Sequence, residues 1–119
     1  MTRFTDGPAM GAALSLRRAP LFLRVVFGID GQVDALDQLN DQPDPAETIT
    51  VYRRKGKAGT IHIDYTDKKT RRRRGAWFAY ADYKLSPVQP PDDVMRSTEA
   101  WRGWCLEQVA KDNRAHPKE

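Results

Sequence analysis

The chain has 119 residues, of which 39% are hydrophobic and 30% charged, with a formal net charge of +4. That length supports one core, able to bury roughly two-thirds of the unfolded surface, and the composition excludes wholesale disorder. A single cysteine, Cys105, excludes an intramolecular disulfide and a cysteine-based zinc cluster, and it fits a reducing, cytoplasmic setting.

The opening "MTRFTDGPAMGAA" has no apolar run of the signal-peptide kind. Residues 1–11 are expected to be a flexible segment ahead of one α+β unit over 12–111. In "AALSLRR", residues 12–18, Ala12, Leu14 and Leu16 alternate with Ala13, Ser15 and Arg17, the period of a half-buried strand. Pro20 ends it. "LFLRVVFGIDGQVDAL" sets two apolar runs around Asp30-Gly31, a turn pair suited to a tight hairpin. The run "PLFLRVVFGI" carries Arg24 and is too short to span a bilayer, so no membrane partner is expected.

"DQLNDQPDPAE", residues 37–47, is polar and broken by Pro43 and Pro45, the composition of a surface loop. Asp30, Asp34, Asp37, Asp41 and Asp44 lack the spacing of a calcium loop, so an acidic surface is expected and no metal site. "TITVYRRK" and "TIHIDYT" flank "GKAG", which is read as a hairpin loop. Its GxxG is similar to the phosphate-clamping loop of KH domains, but strand spacing follows it where a helix should. Ile61, Ile63 and Tyr65 share one face of the second strand, and Thr60, His62, Asp64 and Thr66 the other.

"DKKTRRRRG", residues 67–75, holds six basic residues in nine and a net +5, which leaves −1 for the rest of the chain. Arg53, Arg54, Lys55 and Lys57 form a second basic block, whereas residues 25–52 contain six acids and no Lys or Arg. Charge is therefore polarised, a property that bears on partners rather than on fold. The first block is expected at the exposed tip of a long hairpin, whose return strand is "AWFAYADYKL". There Trp77, Ala79, Ala81, Tyr83 and Leu85 share one face, and Phe78, Tyr80, Asp82 and Lys84 the other. "RGAWFAYA" resembles the RNP1 strand of RRM domains at Arg74, Gly75, Phe78 and Ala79. It departs where Ala76, Trp77 and Ala81 stand, covers eight residues, and lacks the interleaved helices of that family.

"SPVQPP", residues 86–91, reads as a Pro-rich connector into a helix over 92–111, with Asp92 and Asp93 in its first turn and Ser97 as an alternative start. Val94, Thr98, Trp101, Cys105 and Val109 form the stripe expected to pack on the sheet. Gly103 within it suggests close approach to a strand. Residues 112–119 are expected to be a flexible tail. The expected fold is α+β: about five or six antiparallel strands in a strongly bent sheet or small barrel, closed by one C-terminal helix.

No nucleophile and base are paired by pattern. His62 and His116 are isolated, Cys105 belongs to the helical stripe, and Asp64 with Asp82 is the one carboxylate pair worth inspecting. Neither enzyme activity nor a cofactor is expected. The basic runs point to nucleic-acid binding: Lys68, Lys69 and Arg71, Arg72, Arg73 and Arg74 on phosphates, extended by Arg53, Arg54, Lys55 and Lys57. Phe78, Tyr80 and Tyr52 would stack bases. The alternative is an accessory or inhibitor protein, of a kind mobile elements and phages encode, docking its basic loop on an acidic partner or in a partner's nucleic-acid channel.

Overall fold

The computed structural model describes residues 2–28, 30, 32–37, 39, 43 and 49–116. Strands β1 (Thr2–Phe4), β2 (Ala13–Leu14), β3 (Phe22–Phe27), β4 (Val33–Asp37), β5 (Ile49–Thr66) and β6 (Arg73–Leu85) form one sheet in the order β2-β1-β6-β5-β3-β4. A 3-10 turn, Asp92–Arg96, leads into helix α1, Thr98–Ala115. The architecture is α+β with a curled sheet, but the sheet is mixed rather than wholly antiparallel.

The parallel pair is β1 with β6, in the register Thr2↔Ala81 and Phe4↔Tyr83. Two expectations are corrected here, the all-antiparallel sheet and the loose N-terminus. Residues 2–4 join the sheet because Phe4 has a core to enter. Its ring meets Tyr52 edge-on, with centroids 4.7 Å apart. The turn that follows is tied to the same tyrosine, whose hydroxyl accepts from Ala9 N at 2.7 Å and donates to Asp6 O at 3.0 Å. Gly7 sits there at φ +69°, and a Cβ would come within 2.8 Å of the Tyr52 hydroxyl.

Both faces of the sheet are covered, as adjacent residues of a pleated strand require. Leu23, Tyr52 and Tyr83 pack with Phe4 on one side, where Leu14 from one edge strand and Val33 from the other reach the same cluster. That convergence is the consequence of the curl. Phe22 and Val51, their immediate neighbours in sequence, face the other way against Met95, Trp101, Trp104 and Cys105.

Ser97 caps α1, its hydroxyl accepting from Ala100 N at 3.0 Å, so the helix begins at Thr98 and not at Asp92. Its buried residues are Trp101, Trp104, Cys105 and Gln108. Thr98 and Val109 fall outside that stripe, and Gly103 faces open space rather than a strand. The helix also continues through Ala115, into the expected tail, because Asp112 is anchored to β5.

"GKAG" does not turn the chain. Residues 49–66 are one strand, and Lys55 pairs with Asp82 while Gly59 pairs with Tyr80, so three residues oppose Ala81 alone. This is a bulge, with Gly56 at φ +69°. The β3–β4 hairpin forms as expected, but its closing bond runs from Gly28 N to Gln32 O, a longer connection than a two-residue turn. Gly31 lies outside the described residues, as do Asp41 and Asp44 of the acidic segment.

Burial has a titration consequence. Desolvation pushes the Cys105 thiol up from 9.0 to about 11, with its Sγ donating to Leu39 O at 2.9 Å, and the Tyr52 and Tyr83 phenols are also raised by burial. A folded-state pKa above the unfolded one leaves stability intact below the unfolded pKa and removes it as pH rises through the folded one. Urea midpoints should therefore hold to pH 9 and fall between pH 9 and 11. Cys105→Ala should flatten the first part of that fall, and the native thiol should resist alkylation at neutral pH.

Candidate functional site

The pairing of β5 with β3 reaches Arg53, and that of β6 with β1 begins at Ala81. Beyond these, β5 and β6 continue together for eight pairs, from Gly59↔Tyr80 to Thr66↔Arg73, a ribbon about 25 Å long. Leu16 bridges Ala79 at its root. Among the described residues no third strand flanks the ribbon from Phe78 outward, so it stands off the sheet as an arm.

Asp67 builds the tip. Its Oδ1 accepts from Lys69 N at 2.8 Å, its backbone N–H donates to Arg72 O at 2.9 Å, and its carbonyl accepts from Arg71 N at 2.8 Å. Arg71 adopts φ +57°, a left-handed conformation that this closure imposes. Lys68, Lys69 and Arg71 through Arg74 are all exposed. Among the described residues, Arg74 is the tip cation with a carboxylate partner, Asp67 Oδ2 at 3.6 Å.

The acidic turn is far from this tip. β3 runs antiparallel to β5 with Val26 opposite Ile49, so Asp30, in the β3–β4 turn, lies at the end of β5 opposite the basic residues.

The second basic block divides. Arg53 is 7% exposed, and its Nη2 donates to Asp112 Oδ2 at 3.1 Å, while Nε pairs with the other carboxylate oxygen. Its Nη1 donates to Arg54 O at 2.8 Å. Arg54 is spent on Ala19 O at 2.5 Å and Gly56 O at 2.8 Å. Neither guanidinium is presented as a phosphate contact. Lys55 and Lys57 are exposed, and with Arg3, Tyr80, Ala81 and Asp82 they line a groove of about 510 Å³.

The aromatic candidates divide as well. Tyr52 is 0% exposed and belongs to the core, so it cannot stack a base. Tyr80 is 51% exposed and its ring lies over Gly59, where a Cβ would come within 2.0 Å of it. Phe78 is half-buried beneath the Arg17 guanidinium, 5.9 Å from the ring centroid. Ile61, Ile63 and Tyr65, which share one strand face as their alternation predicts, are exposed on the same arm face, because the core clusters end where the arm begins. Trp77 is 62% exposed on the opposite face, with the His62 ring 5.0 Å away.

Arg3 and Arg17 are contributors that the sequence reading missed. The alternation Thr2-Arg3-Phe4 is a sufficient signal for the first, since a buried Phe4 turns Arg3 outward. The carboxylate pair is not assembled: Asp64 pairs opposite Gly75 and Asp82 opposite Lys55, on opposite faces and far apart along the ribbon. Asp82 instead accepts from Arg3 Nε at 3.2 Å. No helix among the described residues is long and apolar enough to cross a membrane. Comparison with protein-family models, curated proteins and solved structures gives no match.

Proposed function

We propose that this is a small non-enzymatic nucleic-acid-binding protein of the cytoplasm that holds phosphates with the tip of its arm. The observation that carries the reading is a tip whose six cations are exposed while one of them, among the described residues, has a carboxylate partner. Phosphate contacts dominate nucleic-acid affinity, and clustered Lys and Arg on a protruding element are the footprint they leave. Physical access supports it too, because a two-stranded ribbon is narrow enough to enter a duplex major groove or lie along a single strand. Lys55, Lys57 and Arg3 extend the basic track toward the root of the arm.

The test is fluorescence anisotropy of labelled oligonucleotides across a salt series. Engagement of about four phosphates should weaken binding roughly 50- to 150-fold between 50 and 200 mM salt. Absence of binding at the lower salt would overturn the reading and turn the search to an acidic protein partner.

A further inference from the structure

Resting on that reading, we propose that the arm selects single-stranded nucleic acid, stacking unpaired bases on the exposed rings of Tyr65 and Tyr80, on the apolar face that also carries Phe78 beneath Arg17. Cross-strand pairing puts these rings on one side of the ribbon: Tyr65 opposite Arg74, Phe78 opposite Ile61, and Tyr80 opposite Gly59. Successive rungs of one face are about 7 Å apart, so the rings span about 20 Å, room for about four nucleotides. Tyr80 and Tyr65 are exposed.

Each ring has a cation beside it. Arg74 is the direct cross-strand neighbour of Tyr65, Arg17 lies over Phe78 at 5.9 Å, and Lys55, Lys57 and Arg3 border the groove that includes Tyr80. A ligand that covers this face must offer flat apolar surfaces and negative charge at short, regular intervals. A single-stranded chain of nucleotides does so. A duplex keeps its base faces inside the stack and leaves the rings without partners.

A second copy of the chain fits poorly. Arms laid face to face in parallel bring tip against tip, and arms laid antiparallel bring each tip against Lys55, Lys57 and Arg3. Either arrangement opposes cation to cation.

The experiment compares a labelled oligothymidylate, an abasic oligomer of equal length and a duplex of equal length, at one low salt concentration. Oligothymidylate should bind at least about tenfold more tightly than the abasic oligomer, since stacking contributes about 1–3 kcal/mol per base. Tyr80→Ala should weaken oligothymidylate about 5- to 150-fold and leave the abasic affinity within about twofold. Tyr80→Leu, which keeps a side chain over Gly59, should behave the same way if the loss is of stacking. Equal binding of oligothymidylate and abasic oligomer, tighter binding of the duplex, or indifference to both Tyr80 variants would overturn the proposal while phosphate binding stands. So would a concentration-dependent dimer in sedimentation that Tyr80→Ala abolishes, which would assign the face to a second copy. Failure of all three ligands to bind would instead remove the nucleic-acid reading itself.

Discussion

Asp112→Ala should lower the unfolding free energy by about 3–5 kcal/mol, with a fall in Tm on the order of 10–20 °C. Asp112 reaches from the last turn of α1 to Arg53 on β5, with the side chains 9% and 8% exposed. Removing the carboxylate leaves a largely buried guanidinium without the Asp112 charge, with the Arg54 carbonyl as a remaining partner. Breaking one half of a buried pair costs far more than the pair contributes, because the surviving charge keeps its desolvation penalty. The expected loss is a large share of the roughly 6–18 kcal/mol typical of a chain this size. Urea denaturation of Asp112→Ala and of Arg53→Met/Asp112→Leu checks this directly. The double variant should recover most of the loss, since an apolar pair of similar volume leaves no charge behind. Equal destabilisation in both would mean that the site depends on the pair's geometry rather than its charge balance. Salt-dependent oligonucleotide binding by the folded double variant should match the wild type, because Arg53 is a strut and not a contact.

That separation was beyond the reach of sequence. Arg53 and Lys55 stand two apart in "RRK" and share a face of β5; what distinguishes them is the distance to the last turn of α1, which only tertiary structure sets. Tyr52 is similar: its aromatic neighbourhood depends on Phe4, far away in the chain. Strand period was legible wherever one face is buried, as at Leu14 and Leu16 or at Ala79, Ala81 and Tyr83, because alternation is a local consequence of the pleat. The same alternation at Ile61, Ile63 and Tyr65 was equally plain, yet it says that a face is apolar, not that this chain covers it. The bulge at Gly56–Gly59 was misread as a hairpin because local signals for a turn and for a bulge coincide: glycine, positive φ and a break in alternation. The tip itself was legible because six cations in nine residues cannot be buried and need an exposed loop.

Replacing Arg71, Arg72, Arg73 and Arg74 together by Ser should abolish most oligonucleotide affinity while leaving the fold in place. The tip is exposed, and the ion pair broken there among the described residues, Arg74 with Asp67 at 3.6 Å, is of the surface kind worth under about 1 kcal/mol. The backbone closure around Asp67 uses main-chain groups and the Asp67 side chain, all retained. Each phosphate contact removed should lower the magnitude of the log–log salt slope by about 0.7 on a single strand or about 0.9 on a duplex, so loss of three of about four contacts would leave roughly a threefold change between 50 and 200 mM salt. Four arginines also take the net charge from +4 to zero, and a general field effect would weaken binding without any contact. A matched variant separates the two. Ser at Arg96, Arg102, Lys111 and Arg114, exposed residues of the 3-10 turn and α1, removes the same charge from elsewhere on the protein. Binding that survives this change and fails with the tip variant would locate the phosphates at the arm. Equal losses would mean that net charge alone governs association, and the tip would then have no specific role in holding nucleic acid.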